Sequence, residues 1–240
     1  MTEPGIYYPE NLTGEQLDSL LAQGWYRMGQ GIFTTNYIFQ ENATYRVYWL
    51  RYNLLQAQLG KSHQKIKTAN TKFTVAVKPL EITDELEILY ALYKTSITFD
   101  AANSVEHWLY MERSGNIYNT RIIEVRDNGL LIAAGIFDMG ENSIAGIMNF
   151  YNPAYKKYSL GKYLMLQKME YAKSLGMQWY YPGYIVYGYP KFDYKLFADK
   201  KAAELFIPEL NGWISYNPAL LQAVDNIING GSADDAARSI

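Results

Sequence analysis

The chain has 240 residues, with 22 lysines and arginines against 24 aspartates and glutamates, and it contains no cysteine. Without thiols, no disulfide, thiolate nucleophile or thiolate metal site can form. The two histidines, His63 and His107, lie far apart, so we expect no metal and no other cofactor. No apolar run approaches the roughly 18 residues of a membrane span, and the N-terminus lacks a signal-peptide core. We therefore expect a soluble cytoplasmic protein without a membrane partner.

Residues 1–71 are predicted to form a small N-terminal α+β lobe. Leucines at helical spacing follow Thr13, whose hydroxyl suits an N-cap, and two later stretches alternate as strands do. The predicted elements are a helix over residues 12–23, strands over Ile32–Phe39 and Arg46–Tyr52, and a basic loop or helix over Leu54–Lys67.

Residues 72–216 show the element order of an acetyltransferase-like fold. Thr83 and Ser104 are placed to open helices, and Asp127-Asn128-Gly129 is a strong hairpin signal between two strand-like runs. The predicted elements are strands over 72–78, 120–125, 130–137, 144–151 and 178–184, and a helix over 160–175 that Gly176 ends. This order predicts an α+β fold of the acetyltransferase-like (GNAT) class, with a mixed, mainly antiparallel sheet flanked by helices. Residues 217–240 are predicted as a terminal helix and a disordered tail.

Charge is unevenly distributed despite the formal net charge of −2. Residues 42–78 carry seven cations and no acid, and residues 155–201 are also mainly basic, whereas the stretch between them is acidic. The two basic blocks are either solvated surface or a surface that converges on an RNA backbone, where each phosphate contact adds salt-dependent affinity.

Tyrosines and lysines are concentrated around forced turns in Tyr180-Tyr181-Pro182-Gly183-Tyr184 and in Pro190-Lys191-Phe192-Asp193-Tyr194-Lys195. With Ser159-Leu160-Gly161, Leu175-Gly176 and Trp213, these segments resemble the S-L-G, L-G, Y-L-G-Y, K-M-x-Y-K and W motifs of arginyl- and leucyl-tRNA–protein transferases. Upstream, Gly24-Trp25-Tyr26-Arg27-Met28-Gly29 resembles the family's G-W-R-R-F-G segment, and Leu130–Gly135 resembles its L-I-A-V-G strand. Pro182 and Phe192 depart from the motifs. A larger departure is that residues 34–38 contain none of the cysteines that bacterial members usually carry there.

The resemblance implies an enzyme that moves an arginyl or leucyl group from charged tRNA to the N-terminal amine of a protein that begins with Asp or Glu, in protein turnover. Its partners are then aminoacyl-tRNA and an acceptor N-terminus, and not DNA. The candidate tRNA-binding residues, taken from the two basic blocks, are Lys61, Lys65, Lys67, Lys156, Lys157 and Lys162. The implied acceptor-binding residues are Arg27, Gly183, Lys191, Tyr194 and Lys195.

Such a transfer places modest demands on catalytic groups. An α-amine titrates near pH 8, so about a tenth is neutral at pH 7, and positioning contributes more than a base does. Candidate oxyanion donors are the Gly183–Tyr184 amides and the phenols of Tyr181 and Tyr184. A base, if one is used, is Glu124 or Asp138. A salt bridge with Arg121 or Arg126 suits Glu124 better than a base role does, and aspartate at the position of Asp138 commonly stabilises a turn.

Two other functions remain open from the residues alone. One is an acyl-coenzyme A-dependent N-acyltransferase, in which an R/Q-x-x-G-x-G/A turn before the helix binds the pyrophosphate of coenzyme A. Residues Lys156–Gly161 keep only the last glycine of this turn. Ser159 places a side chain where the pyrophosphate needs a close approach to the backbone, which counts against coenzyme A. A non-catalytic binding relative is the third possibility. In place of the missing cysteines, an aromatic group is expected to hold the N-terminal lobe together; its members are Tyr37, Phe39, Tyr45, Tyr48 and Trp49.

Overall fold

The computed structural model describes residues 4–99, 101–111, 113 and 115–228. The helices are α1 Gly14–Ala22, α2 Lys61–Asn70, α3 Asp84–Lys94, α4 Val105–Tyr110, α5 Leu160–Ser174 and α6 Pro218–Ile228. The strands are β1 Gly5–Tyr7, β2 Tyr26–Met28, β3 Gly31–Thr34, β4 Tyr37–Gln40, β5 Ala43–Asn53, β6 Thr74–Pro79, β7 Thr120–Asp127, β8 Leu130–Met139, β9 Ser143–Tyr151, β10 Trp179–Val186, β11 Ala203–Ile207 and β12 Gly212–Ser215. Short 3₁₀ segments cover Pro153–Tyr158, Pro190–Phe197 and Pro208–Leu210.

The main sheet has the strand order β12-β11-β5-β10-β9-β8-β7-β6, and β4 pairs with β5 outside this order. All of its pairings are antiparallel except that of β9 with β10. Helix α5 packs on β8 and β9, and α3 packs against the same two strands. A mixed, mainly antiparallel sheet flanked by helices is therefore present, and the predicted fold class is confirmed.

The predicted boundary at residue 71 cuts through this sheet. Strand β5 belongs to the predicted N-terminal lobe, yet it lies between β10 and β11. These two neighbours are more than 100 residues away in the chain, and pairing at such separation leaves no mark in local sequence patterns. A separate three-stranded sheet, β1-β3-β2, is the part of the N-terminal region that stands apart. The predicted terminal helix is α6, and the tail from residue 230 lies outside the described residues.

The local start and stop signals are confirmed. Thr13 caps α1 in a capping box with Gln16, and the hydroxyls of Thr83 and Ser104 accept hydrogen bonds from first-turn amides of α3 and α4. The hairpin between β7 and β8 turns at Asn128 and Gly129, which both have positive φ. The predicted strand over residues 32–39 is instead two strands, and the basic segment after Leu54 becomes a helix at residue 61.

Aromatic packing fills the face of the sheet that α1 covers. The Trp49 indole stacks on Tyr26 at 5.3 Å between ring centroids, and Phe33 and Tyr184 meet it edge-on. Tyr48 and Trp49 of the predicted aromatic group are buried, whereas Tyr37 and Phe39 are exposed.

No helix in the described part of the chain is long and apolar enough to cross a bilayer.

The parallel strands β9 and β10 pair over only three residues and then separate. Their ladder ends at Tyr181 and Ala145, and the next residue of β10 is Pro182, which has no N–H to continue it. Gly183 follows with φ of +102°, and the β10 register against β5 shifts at this point. The strands therefore open into a fork.

Candidate active site

A cleft of about 670 Å³ opens at the fork between β9 and β10. Among the described residues that line it there is no aspartate, glutamate or histidine. The cations that line it are Arg27, Lys156, Lys162, Lys168 and Lys195, and its other lining residues include Tyr26, Met28, Trp49, Trp108, Met148, Asn149, Met165, Gly183, Tyr184 and Tyr194. The cleft is thus positively charged and otherwise rich in aromatic and apolar side chains.

Tyr26 joins the two arms of the fork. Its hydroxyl oxygen lies 2.6 Å from the carbonyl oxygen of Gly146 on β9 and 2.8 Å from that of Tyr181 on β10. Burial raises the pKa of this phenol well above its usual value, so it stays a neutral donor. A Cβ on Gly146 would lie 2.8 Å from the Tyr180 hydroxyl oxygen. Glycine at this position therefore lets the Tyr180 ring pack at the base of the cleft.

Lys195 projects from the 3₁₀ segment 190–197 to the β10 side of the cleft. Its ammonium donates to the carbonyl oxygen of Tyr184 at 2.9 Å and lies 4.7, 5.0 and 5.9 Å from the ring centroids of Tyr184, Phe192 and Tyr194. Desolvation lowers the pKa of Lys195 to about 7. A Cβ on Gly183 would lie 3.2 Å from this Nζ, so glycine permits the approach.

The predicted tRNA-binding lysines separate into three groups. Lys156 and Lys162 line the cleft on either side of Ser159, which has positive φ before α5 begins. Lys157 lies in the same turn, with its ammonium 5.1 Å from the Tyr158 ring. On α2, Lys67 pairs with Glu170, while Lys61 and Lys65 are exposed and do not line the cleft.

The two basic blocks nevertheless adjoin. Helix α2 contacts α5 and the 3₁₀ turn before it. Asn70 donates to the backbone carbonyl oxygen of Tyr158, and the Lys72 ammonium donates to the Tyr158 hydroxyl oxygen at 2.8 Å. Lys72 was not among the predicted residues, although it belongs to the first basic block. The blocks therefore form one continuous basic region beside the α5 end of the cleft.

The two carboxylates predicted as bases lie outside the cleft lining. Asp138 is fully buried and accepts hydrogen bonds from Arg27 and Thr120, and Glu124 pairs with Lys78 and Arg126. Their geometry argues against a base role, because both are engaged in structural ion pairs and neither lines the cleft.

Three other predicted residues also differ from the expected placement. Arg27 borders the cleft, but its guanidinium donates to Asp138, Thr120 and two backbone carbonyls. The Tyr181 ring packs edge-on against Trp213 in the core, and burial raises the pKa of Tyr181 to about 12. Lys191 is exposed, outside the cleft lining, 5.6 Å from the Phe99 ring centroid. Gly183, Tyr184, Tyr194 and Lys195 do meet at the cleft.

Sequence patterns missed Tyr26, Trp49, Asn149 and Lys168, which also line the cleft. For Lys168 a signal existed, because it interrupts the apolar i, i+4 series Leu160, Leu164, Ala172 on the buried face of α5. A lysine at such a position either reaches solvent or is buried with a functional role. Only the structure shows that Lys168 is buried.

The family model "Arginine-tRNA-protein transferase, C terminus" matches residues 45–201, which include the fork, α5 and Lys195. The chain belongs to this family. Family membership makes it a tRNA-dependent aminoacyltransferase and confirms the resemblance seen in the motifs. The acyl-coenzyme A-dependent and non-catalytic alternatives receive no support from it.

The relatives include three bacterial aspartate/glutamate leucyltransferases. That of Leptospira interrogans serovar copenhageni is 26% identical over 214 residues, covering 86% of this chain and 81% of the relative. That of Xanthobacter autotrophicus is 28% identical over 57% of this chain and 60% of the relative, and that of Campylobacter jejuni strain 81-176 is 24% identical over 78% and 79%.

Similar solved structures are more distant. FemX has a TM-score of 0.47 with 11% identity, covering 87% of this chain and 70% of FemX. A tandem GNAT protein of clavulanic acid biosynthesis has a TM-score of 0.42 with 11% identity, covering 80% of this chain and 57% of that protein. Likenesses this weak say nothing about function.

Proposed function

We propose that this chain transfers leucine from leucyl-tRNA to the α-amine of proteins that begin with Asp or Glu. The observation that carries the proposal is the absence of any carboxylate among the described residues that line a cleft with four lysines. The names of the relatives, aspartate/glutamate leucyltransferases, agree with this substrate pair. The product is a protein with an N-terminal leucine, and its use in protein turnover is the expected consequence.

Leucine suits this cleft better than arginine as the transferred group. An arginyl guanidinium needs a carboxylate partner when it is desolvated, since an unpaired charge in an apolar site is costly. Met28, Trp108 and Met148 instead present apolar surface to a bound substrate. An isobutyl side chain needs only such surface, which favours the leucyl ester over the arginyl ester that the motifs also allowed.

Lys195 is the proposed partner of the acceptor's acidic side chain. Its ammonium donates one hydrogen bond, to the carbonyl oxygen of Tyr184, and forms no ion pair within the described part of the chain. Two N–H groups remain for an aspartate or glutamate carboxylate. The bound carboxylate would stabilise the charged amine and raise the pKa of Lys195, so the acceptor itself completes the ion pair. Gly183 lets the ammonium approach the backbone, and the Tyr194 ring partly covers the ammonium.

The tRNA end is proposed to enter over the start of α5. Lys156 and Lys162 border the cleft there, and Lys157, Lys61 and Lys65 extend the basic region outward for the phosphate backbone. Lys67 is a weaker candidate because Glu170 neutralises it. With the ester delivered into the fork, the acceptor amine attacks its carbonyl carbon, and positioning of the two reactants supplies most of the acceleration.

The test is transfer of labelled leucine or arginine from charged tRNA to short peptides that differ only in their first residue. We expect leucine transfer to Asp- and Glu-initiated peptides and little transfer to the isosteric Asn- and Gln-initiated ones. A Lys195→Met variant should lose this preference, whereas Lys191→Met, a neighbouring exposed lysine, should keep it. Absence of leucine transfer, or equal transfer to Asp and Asn peptides, would contradict the proposal.

A further inference from the structure

Lys168 is the only lysine among the described residues whose side chain is fully buried, with 1% exposure. It lies on α5 and borders the cleft between that helix and β9. A desolvated ammonium lowers the stability of the fold unless something compensates for it. No carboxylate of the described residues forms an ion pair with it, so the compensation is not electrostatic pairing. Its burial therefore calls for another explanation.

A β-bulge holds the Lys168 ammonium in place. Strand β9 has one extra residue, Ile147, opposite the step from Ile136 to Phe137 in β8. At this bulge the carbonyl oxygens of Ile136 and Met148 accept hydrogen bonds from Nζ, at 2.6 and 3.1 Å. The stem of the side chain passes over Gly135, where a Cβ would lie 3.1 Å from the lysine Cε. The ammonium is thus fixed on the cleft side of α5 before any substrate binds.

Lys168 and Asn149 each leave one polar group unpaired in this part of the cleft lining. The two carbonyl bonds use two of the three N–H groups of Lys168, and the cleft borders the same side chain. The Oδ1 atom of Asn149 is buried without a hydrogen-bond partner. A Cβ on Gly135 would lie 3.1 Å from this atom and 3.1 Å from the Lys168 Cε, so both side chains pass over the same glycine. A buried orphan acceptor beside a preorganised cation marks a position for a polar group of the substrate.

We propose that Lys168 is a catalytic residue whose third N–H donates to the oxyanion of the tetrahedral intermediate. The inference rests on the proposed aminoacyl transfer. As the neutral acceptor amine bonds to the ester carbonyl carbon, the carbonyl π electrons move to oxygen, where Lys168 stabilises the negative charge. Collapse re-forms the carbonyl and breaks the bond to the ribose oxygen, which takes the proton that the amine nitrogen loses. Lys168 stays protonated throughout, and Asn149 accepts a hydrogen bond from an amine N–H.

This role differs from the oxyanion donors that sequence patterns suggested. The Tyr181 phenol lies in the core rather than the cleft. Lys195, which was assigned to the acceptor and not to the oxyanion, is held by one hydrogen bond to a backbone carbonyl and faces the β10 side. An ammonium fixed by two backbone carbonyls needs no reorganisation when charge develops, and this property makes an oxyanion donor effective.

The pH dependence has a defined sign. Desolvation lowers the pKa of Lys168 to about 7, and Asp138 of β8, itself paired with Arg27, is the charged group that opposes this shift. The donor must be charged, so the active fraction of the enzyme falls as pH rises past the pKa of Lys168. The acceptor amine must be neutral, and its neutral fraction rises up to about pH 8. Since the first pKa lies below the second, kcat/KM should rise to about pH 7, stay level between about 7 and 8, and fall at higher pH, where the descending limb is due to deprotonation of Lys168.

The experiment compares Lys168→Met with Lys173→Met, a matched control in the same helix. Lys173 also donates to a backbone carbonyl, that of Ala57, but does not line the cleft. We expect Lys168→Met to lower kcat about 100- to 1,000-fold with a folded protein by circular dichroism, and to lose the descending limb of the pH profile. Lys173→Met should keep both the rate and the profile.

Lys168→Arg separates oxyanion donation from proton abstraction. An arginine donates hydrogen bonds but stays charged at all working pH values, so it should retain more activity than Lys168→Met and show no descending limb up to pH 9. An Lys168→Arg variant that folds and is as inactive as Lys168→Met would overturn the proposal, as would a wild-type rate in Lys168→Met. If the wild-type protein transfers no leucine, the proposed function is wrong. If the wild type transfers leucine and Lys168→Met is as active as Lys173→Met, only the inference about Lys168 is wrong.

Discussion

Two requirements of the cleft make residue 183 a glycine: a positive φ and the close approach of the Lys195 side chain. Its φ of +102° is strained for any other residue, and a Cβ there would lie 3.2 Å from the Lys195 ammonium nitrogen. We expect Gly183→Ala to lower the free energy of unfolding by about 1–3 kcal/mol, measured by urea denaturation. We also expect the KM for an Asp-initiated peptide to rise, because the displaced ammonium no longer meets the carboxylate.

Gly129→Ala is the matched control for this residue. Gly129 has a similar φ of +89° in the β7–β8 hairpin, but nothing lies within 4 Å of its added Cβ. It should therefore show the loss of stability without the change in KM. An unchanged KM in Gly183→Ala would argue that Lys195 takes no part in acceptor binding.

At the scale of elements, the buried pair of Arg27 and Asp138 ties β2 to the main sheet. The guanidinium also donates to the carbonyl oxygen of Leu109 at the end of α4, so three elements share it. We expect Arg27→Met to lower the free energy of unfolding by about 3–5 kcal/mol, because Asp138 is left buried without a cation. The double variant Arg27→Met/Asp138→Leu should recover part of this loss in thermal or urea denaturation.

An exposed pair provides the comparison. Lys67 and Glu170 join α2 to α5 with side-chain exposures of 30% and 32%. Lys67→Met should cost only about 0–1 kcal/mol, since solvent replaces the lost partner. Equal costs for Arg27→Met and Lys67→Met would show that the buried pair does not anchor β2.

For the whole molecule, the distribution of charge matters more than its sum. The net charge of −2 does not favour polyanion binding, but the basic region beside α5 does. We expect Lys156→Ala/Lys162→Ala to weaken tRNA binding and to reduce the slope of log affinity against log salt by about 2. Titrations at several salt concentrations measure this slope.

The control removes the same charge elsewhere. Lys200 and Lys201 are exposed and lie outside the cleft lining. Their double alanine variant changes the net charge equally and should leave the slope within error of wild type. Matching slopes for both double variants would mean that tRNA binds through general attraction rather than at the start of α5.

Local patterns located most elements because their causes are local. A hydroxyl at Thr13, Thr83 or Ser104 satisfies amides within one turn, and Asn128-Gly129 adopts positive φ whatever lies beyond it. The candidate site was predicted only in part for the same reason. Gly183, Tyr184, Tyr194 and Lys195 lie in one motif-bearing stretch, whereas Tyr26, Asn149 and Lys168 come from three separate elements.

By itself, the sequence determined the family, the succession of helices and strands and the exclusion of sulfur chemistry, because these depend on residue type, spacing and short-range hydrogen bonding. Only the tertiary structure decided that β5 enters the main sheet and that β9 and β10 part at Pro182. It also decided that Asp138 is buried with Arg27 whereas Lys168 is buried without a counter-ion. These outcomes depend on which distant segments exclude water from each other, and no window of neighbouring residues contains that information.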